Sequence, residues 1–392
     1  MSNKKACILT SVCSMIDQFN LPNIALLQNK GYEVHVVTNF ETGSTTPQER
    51  VDRVRRMLEH QGVKTIHMPV PRSIFDISGI LKSLAQMKKL CRENAYELIH
   101  CHSPIGGVIA RVGARRSRRV HGTRTIYTAH GFHFFRGAPL VNWILFYPIE
   151  KLCARFTDLL ITINREDFSL AKRKLKAGRI AYVPGVGIDL KKFDRQTISE
   201  ETVAEMRKSL GVNEREKMLL SVGEVSKNKN HEAVIRALAK RKDINWKYFI
   251  AGTGALREHL EEIIRLNGVE GRVFLLGYRS DIEKLCACAD LFILPSLREG
   301  LPVALMEAMA MQTPAIASRI RGCSDLLDAD EMFDPGDADD IIGCVVRHLQ
   351  QTNRMARTAR QYERLKEFDL ERVNQMMSEI YDSCVTERQT EV

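Results

Sequence analysis

The sequence predicts an α/β fold made of two doubly wound domains in tandem. The chain has 392 residues, beyond the length at which a single hydrophobic core usually stops growing, and this favours two domains. Short β-branched and aliphatic runs alternate with helical patterns, as in βαβ units built around a parallel sheet. The alternation pauses only over residues 183–200 (VPGVGIDLKKFDRQTISE), which predicts a linker there because the segment is rich in Gly, Pro and charge.

The elements follow in order along both halves. The first domain, residues 1–190, carries predicted strands at 6–10, 32–38, 98–102, 125–128 and 159–163, and a helix at 21–30. The second, residues 191–368, carries strands at 217–222, 246–251, 272–275, 291–294 and 314–317, with helices at 231–240 and 256–266. Residues 369–392 form a C-terminal helix and tail; the helix, 369–381, is amphipathic and is compatible with either domain.

Composition excludes several classes of protein. The ten cysteines show no paired Cys-x-x-Cys spacing, so we expect free thiols that behave as small buried hydrophobes in a reducing compartment. The N-terminus lacks a signal-peptide pattern, and the longest apolar run, residues 138–149, falls well short of the roughly 20 residues that span a bilayer. We therefore expect a soluble protein, or at most a peripheral one.

The excess of positive over negative charge is confined to the first half. Residues 1–190 hold 28 Lys and Arg against 14 Asp and Glu, a net +14, and residues 191–392 hold 30 against 34, a net −4. Such an excess predicts an anionic partner, whether lipid head groups, a phosphorylated substrate or nucleic acid. The densest patch contains RRSRR, at 115–119, for which solvated arginines at a helix end are an equally good interpretation.

The stretch LPSLREGLPVALMEAMA, residues 294–310, carries the most specific signal. It reads as the end of a buried strand, a turn, and a helix with Pro302 at its first position. The free amides after Gly300 and Leu301, those of Val303 and Ala304, and the helix dipole favour an anion such as a diphosphate. Glu299 and Glu307 stand on either side and suit the hydroxyls of sugar and ribose. An anion flanked by polyols describes a nucleotide sugar.

With this Glu-x7-Glu signature, the chain resembles the family-4 retaining glycosyltransferases of the GT-B fold, closest to bacterial exopolysaccharide and capsule enzymes. The resemblance implies two Rossmann-like domains facing across a cleft, with the C-terminal helix crossing back to the first domain. The first domain would bind the acceptor and the second the nucleotide sugar. Glu299 would contact the transferred sugar and Glu307 the ribose. The donor would be a UDP-sugar, and no metal or other cofactor would be needed.

Further donor contacts follow from the same resemblance. In VGEVSKNKNHE, residues 222–232, Lys229 stands at the family's diphosphate-binding lysine, but Glu224 replaces the usual arginine. Lys227 and Arg279 are candidate substitutes for that cation. Tyr278 and Arg279, in GYRSD, match the loop around the nucleobase. Gly254, in GTG, either lets the backbone approach the nucleotide or simply makes a tight turn.

In the first domain, His130 follows a predicted strand and matches the family histidine that points at the donor sugar. His102 lies at another strand end and is either an acceptor-side residue or a sheet-edge histidine. Asn20 and Phe132 are further acceptor-side candidates, although TSVCSMIDQFNLP, residues 10–22, departs from the family's Gly-Gly turn. The aromatic segment 131–149 is either a core helix with its approach loop or a membrane-facing surface.

Two Asp-x-Asp pairs, 328–330 and 337–339, sit in a context that predicts turns and helix caps instead of a metal site.

The predicted activity is transfer of a hexose or N-acetylhexosamine from a UDP-sugar to a lipid-diphosphate-linked saccharide, in surface polysaccharide synthesis at the cytoplasmic membrane face. Three alternatives remain open: a nucleotide-sugar epimerase of the same architecture, a non-catalytic sugar-nucleotide-binding subunit, and a nucleic-acid binder. The last lacks any recognised module, so no nucleic acid is expected.

Overall fold

The structure, a computed structural model, describes residues 4–42, 47–241, 243–350 and 353–390, with side chains described up to residue 384. The chain divides into two compact units. The first unit runs to Val186 and resumes at Arg372, and the second unit is Gly187–Glu371. The first division falls inside the Gly- and Pro-bearing segment 183–200.

The first unit is built on a parallel sheet of seven strands in the order β3-β2-β1-β4-β5-β6-β7. These strands are β1 (Lys5–Leu9), β2 (Glu33–Thr38), β3 (Lys64–His67), β4 (Leu98–His102), β5 (Arg124–Ala129), β6 (Leu159–Thr162) and β7 (Arg179–Tyr182). The helices are α1 (Cys13–Phe19), α2 (Leu21–Asn29), α3 (Gln48–His60), α4 (Ile77–Asn94), α5 (Pro104–Gly113), α6 (Arg115–His121), α7 (Leu140–Ala154) and α8 (Arg165–Lys174). Helices α4, α5 and α7 pack on one face of the sheet, around a core that includes Met87, Ile109 and Ala154.

The second unit has a parallel sheet of six strands in the order β10-β9-β8-β11-β12-β13. The strands are β8 (Lys217–Val222), β9 (Trp246–Ala251), β10 (Val273–Gly277), β11 (Leu291–Leu294), β12 (Ala315–Ser318) and β13 (Met332–Phe333). The helices are α9 (Glu200–Ser209), α10 (His231–Ala239), α11 (Arg257–Leu266), α12 (Ile282–Cys288), α13 (Val303–Ala310), α14 (Ala338–Gln350) and α15 (Arg354–Leu365), followed by α16 (Leu370–Thr390).

Helix α16 starts in the second unit and continues into the first. Its residues Val373, Met377, Ile380 and Tyr381 are buried in the first unit's core, where they pack with residues of the sheet. Lys30 pairs with Asp382 at 2.6 Å on the same helix. The apolar side of this helix therefore completes the core of the first unit.

The predicted doubly wound architecture is confirmed, and every strand predicted from periodicity is present to within two residues. Three strands were missed: β3, β7 and β13. The first two are the edge strands of their sheet and carry polar residues in KTIH and RIAY, and the third has only two residues. The side chains of these edge strands are only partly buried, so the strands need less apolar sequence. All ten cysteines are free and buried, as expected. Among the described helices, none has the length and apolar composition to cross a membrane.

Candidate active site

The candidate donor site lies where the strand order of the second unit reverses, between β8 and β11. Ligands of open parallel sheets bind beyond the carboxyl ends of the strands at such a point. The loops that follow β8 and β11 meet there: Lys229 Nζ lies 2.7 Å from Glu299 Oε1. Leu297 donates its N–H to the carbonyl of Asn228 at 2.8 Å, and Asn228 Nδ2 donates to the carbonyl of Arg298 at 3.0 Å. These hydrogen bonds hold the two loops together, so that Lys229 and Glu299 lie at the same site.

Two glycines make this arrangement possible. A Cβ on Gly223 would lie 3.1 Å from Lys229 Cε. The lysine side chain therefore passes close over Gly223, which has no side chain, to reach Glu299. Gly322, in the loop after β12, has φ +79°, and a Cβ there would lie 2.4 Å from the carbonyl oxygen of Gly300. The turn that carries Gly300 is therefore supported by direct backbone packing. Gly322 was missed by the sequence reasoning, although a glycine after a predicted strand is a usable signal.

Helix α13 begins directly after this turn. Its N-cap is Pro302, so the proline lies one position earlier than predicted, and no side chain caps the helix. The amides of Val303 and Ala304 fall in the first turn and have no acceptor within the helix. Leu301, in the turn before the helix, is buried. The amides and the helix dipole present partial positive charge beside Lys229 and Glu299.

Glu307 lies on α13 one helical turn beyond the first amides, in a partly buried position. The pKa of its carboxyl is raised to about 7, mainly by burial and to a smaller extent by Glu283, while Lys192 acts in the opposite direction. A carboxyl that is desolvated in this way gains most from a ligand that donates hydrogen bonds to it. The hydroxyls of a ribose are such donors.

The remaining donor-side candidates lie in the loops after β8 and β10. Glu224 is exposed in the loop after β8, so no cation occupies the position of the family arginine. Tyr278, after β10, is 71% exposed. Arg279 donates to both oxygens of Asp281, at 2.8 and 2.6 Å, and this ion pair raises the pKa of the guanidinium. Its charge is thus largely compensated, which weakens its case as the substitute for the arginine.

Gly254 is explained by packing. A Cβ at this position would lie 2.2 Å from the carbonyl oxygen of Val225, and one at Gly252 would lie 1.9 Å from that of Gly223. The GTG turn therefore lies directly against the loop that carries Lys229. This contact accounts for the two glycines without a ligand.

In the first unit, three histidines form a connected group at the ends of β4 and β5. His130 Nε2 and His102 Nδ1 are 3.0 Å apart, and the His102 ring lies 4.2 Å, between centroids, from that of His100. His100 is bonded to Tyr381 Oη and Thr128 Oγ1, both at 2.8 Å. Burial lowers the pKa of His130 to about 4, that of His100 to about 3, and that of His102 well below its ordinary value. At neutral pH the group is therefore uncharged and acts through hydrogen bonds.

His102 and His130 line a small cavity of about 30 Å³, together with Phe19 and Asn23. Nε2 of His102 is buried and has no hydrogen-bond partner among the described residues. The predicted neighbour Asn20 is fully buried: its Nδ2 donates to the carbonyl of Met15, and its Oδ1 accepts from Asn23. The sequence reasoning thus chose a residue whose polar groups are already used, while Phe19 and Asn23, on either side of it, face the cavity.

Phe132 is also an interior residue. It is 4% exposed, stacks on Phe134 with centroids 4.9 Å apart, and donates its N–H to Asp167 at 3.1 Å. The aromatic segment 131–149 therefore divides in two: its first residues enter the core, and most of its α7 residues are exposed. We define the α7 apolar face as the exposed residues Leu140, Val141, Ile144, Leu145, Ile149 and Leu152.

The aspartates at 328–330 and 337–339 serve as caps. Asp328 forms a capping box with Glu331 at a short 3₁₀ turn, and Asp337 accepts the N–H groups of Asp339 and Asp340 at the start of α14. The predicted turns and caps are confirmed. No group of three or more His, Cys, Asp or Glu side chains suitable for a metal ion occurs in the part of the chain that the structure describes.

Comparison with known proteins covers both units. Residues 22–185 match the family described as "Glycosyl transferase 4-like domain", and residues 202–365 match "Glycosyl transferases group 1". The glycosyltransferase EpsD of Bacillus subtilis (strain 168) is 35% identical over 322 residues, covering 80% of each chain. An Escherichia coli enzyme named UDP-Gal:alpha-D-GlcNAc-diphosphoundecaprenol alpha-1,3-galactosyltransferase is 26% identical over 350 residues, 86% of each chain. The crystal structure of Anabaena HepE in complex with UDP-glucose superposes with a TM-score of 0.73 at 19% identity, covering 97% of this chain and 99% of that one.

Proposed function

The chain belongs to the group 1, or family 4, glycosyltransferases of the GT-B fold, and from this premise we propose its substrates and mechanism. The enzyme is a retaining, metal-independent transferase that moves a hexose or N-acetylhexosamine from a UDP-sugar to a lipid-diphosphate-linked saccharide, in bacterial surface polysaccharide synthesis. The observation that carries this proposal is the convergence of Lys229, Glu299, the first amides of α13 and Glu307 at the switch point of the second sheet.

The donor proposal is supported by that geometry and by the names of similar proteins. The Escherichia coli relative uses UDP-Gal by name, and the HepE structure holds UDP-glucose. A nucleotide sugar presents a diphosphate between two sets of hydroxyls. The second unit offers the ammonium group of Lys229 and the first amides of α13 for the diphosphate. It offers one carboxylate on either side, Glu299 and Glu307, for the hydroxyls.

Each residue then has a defined part. Lys229 and the amides of Val303 and Ala304, after Gly300 and Leu301, stabilise the diphosphate. Glu307 accepts the ribose hydroxyls, and Tyr278 and Arg279 flank the nucleobase. Glu299 and His130 orient the transferred sugar. Binding of the donor separates Lys229 from Glu299, because the two now take different parts of the ligand.

The reaction is a substitution on one face of the sugar. The acceptor hydroxyl oxygen bonds to C1 as the bond from C1 to the UDP oxygen breaks, and the departing diphosphate takes the hydroxyl proton. The protein contributes positioning and charge stabilisation. Since burial keeps His130 neutral at working pH, it acts as a hydrogen-bond partner and not as a cation.

The acceptor is assigned to the first unit. The Escherichia coli relative acts on a diphosphoundecaprenol-linked sugar by name. Nε2 of His102, with Asn23 beside it, offers a polar group for a sugar hydroxyl. Asn20 and Phe132 act one layer deeper, by holding the α2 start and the loop after His130.

We place the enzyme at the cytoplasmic face of the membrane, as a peripheral protein. The α7 apolar face carries no acidic residue, since Glu150 of that helix is buried against Arg111. On the same face of the sheet, a groove between α4 and α6 gathers cations that have no carboxylate partner among the described residues, namely Lys88, Arg92, Arg115, Arg116 and Arg119. Exposed apolar side chains beside uncompensated cations suit an anionic bilayer surface. Vesicles with anionic lipid should bind the parent enzyme and bind Ile144→Ser more weakly.

Substitution of the two glutamates tests the core of the proposal. Glu299→Gln should reduce sugar transfer about 10²-fold or more while calorimetry shows UDP binding retained, and Glu307→Ala should weaken UDP binding itself. Glu262→Gln, an exposed position on α11, is the matched control. Full transfer activity in Glu299→Gln would refute the assignment. Product formation from UDP-N-acetylglucosamine without acceptor would favour an epimerase, and loss of turnover in EDTA would contradict the metal-free mechanism.

A further inference from the structure

A second cavity lies in the first unit, on the sheet face covered by α4, α5 and α7. Its volume is about 140 Å³, and its walls include Ile80, Ile105, Val108, Phe134, Phe146 and Ile149. An apolar cavity of about this size, ~150 Å³, stays dry and accepts a molecule as large as benzene. The space therefore fits a hydrocarbon fragment of about five or six carbons.

The wall is mostly apolar, and its one carboxylate is paired. Glu150 accepts hydrogen bonds from Nη1 and Nη2 of Arg111, and the Arg111 guanidinium lies 4.0 Å from the centroid of the Tyr127 ring. The His133 ring stacks on Phe146 at 4.5 Å. A sugar or nucleotide entering here would lose its hydration and gain few partners, so the wall favours hydrocarbon.

The cavity starts beside the candidate active site and ends at the surface. Its wall includes Gly131 to Phe134, which directly follow His130, and four residues span at most ~15 Å. At the other end, Ile149 belongs both to the wall and to the α7 apolar face, where it is 45% exposed. Val141, Leu145, Ile149 and Leu152 follow one stripe of the helix because their spacings are four, four and three residues.

We infer that this cavity holds the first isoprene unit of the lipid-linked acceptor, next to its diphosphate, while the rest of the chain leaves along the α7 apolar face. The inference rests on the proposed lipid-diphosphate acceptor, which is the amphiphile that needs a polar site and a hydrocarbon site at this distance. A five-carbon branched unit matches the volume, and the mostly apolar wall with its paired carboxylate disfavours a polar occupant.

The test uses direct binding, so that its result does not depend on transferase activity. Trp143 packs against Phe134, with ring centroids 5.6 Å apart, and reports on the cavity in a Trp246→Phe background. The probe is geranyl diphosphate, with inorganic diphosphate and n-decyl diphosphate as comparisons. We expect geranyl diphosphate to change the Trp143 emission, inorganic diphosphate to leave it unchanged, and the linear chain to bind more weakly.

Two variants fill the cavity. Val108→Phe adds volume from α5, and Ile149→Phe adds it at the partly exposed mouth, where the fold tolerates change. Each should weaken geranyl diphosphate binding at least about tenfold while UDP binding stays at the parent value. Leu266→Phe, at an exposed apolar position on α11 that lines neither this cavity nor the cationic groove, is the matched control.

Unchanged binding in both filled variants would overturn the inference, and equal affinity for the linear chain would overturn the isoprenoid assignment. Measurements of transfer activity separate this inference from the proposed function. If the parent transfers sugar to a polyprenyl-linked acceptor, the filled variants should lose kcat/KM for it at least about tenfold and keep that for an acceptor with a methyl group in place of the lipid. If the parent transfers to neither acceptor, the proposed function fails, and the binding result still decides the cavity.

Discussion

Replacing Glu307 with Gln should stabilise the ligand-free enzyme, and the gain should depend on pH. The Glu307 carboxyl is desolvated beside the first turns of α13, which raises its pKa from 4.5 to about 7. A carboxyl with a raised pKa binds a proton more tightly in the folded state than in the unfolded state. Its contribution to the free energy of unfolding therefore falls as pH rises from about 4.5 to about 7. Glutamine has no charge to desolvate and escapes this loss.

The size of the effect follows from the two pKa values. One pKa unit corresponds to ~1.4 kcal/mol, so linkage gives a loss of about 0.8 kcal/mol at about pH 5 and about 3.3 kcal/mol at about pH 8. The Glu307→Gln variant should thus gain up to about 2.5 kcal/mol over the parent between these conditions. For a unit of this size that is a relative shift of about 5–10 °C in Tm.

Thermal unfolding without ligand, at about pH 5 and about pH 8, measures this difference for the parent, Glu307→Gln and the control Glu262→Gln. The control is an exposed carboxylate of the same unit, on α11, and its Tm difference from the parent should not change with pH. A Tm difference for Glu307→Gln that is equal at the two pH values would refute the account of a desolvated carboxylate. The same variant should bind UDP less tightly, because a neutral amide accepts ribose hydroxyls more weakly than a carboxylate.

Two further predictions concern the scaffold around the sites. Arg111→Met should destabilise the first unit by about 3–5 kcal/mol, because it leaves Glu150 charged and buried, and Arg111→Met/Glu150→Leu should recover most of that loss in chemical unfolding. Destabilisation as large in the double variant would show that the ion pair is not its cause. Gly322→Ala should cost about 1–3 kcal/mol and weaken UDP binding, because its positive φ and the contact with Gly300 both oppose a Cβ. Gly271→Ala, whose Cβ would have open space, should change neither property, and equal effects in the two would contradict the packing role of Gly322.

Much of the fold could be predicted because the relevant signals are local. β8, β9 and β11 were predicted to the residue from runs of buried apolar side chains, and the strand, turn and helix around Glu299 were read from Pro, Gly and apolar spacing. Such patterns depend on neighbours within a few residues. The family signature in that stretch is equally local, and for this reason the enzyme class could be inferred before any tertiary contact was known.

The tertiary structure decided which distant residues meet. Lys229 and Glu299 are 70 residues apart, and His100 and Tyr381 are 281 apart. Their contacts depend on the order of strands in each sheet and on where α16 packs, and no local pattern encodes either. The same holds for Asn20, which is buried while Phe19 and Asn23 face the cavity, and for α7, whose composition alone does not show which residues stay exposed. The sequence by itself determined most of the elements and the chemistry of the site, because those follow from local propensity and residue type. Packing between elements determined the cavities, because they exist only between segments remote in the chain.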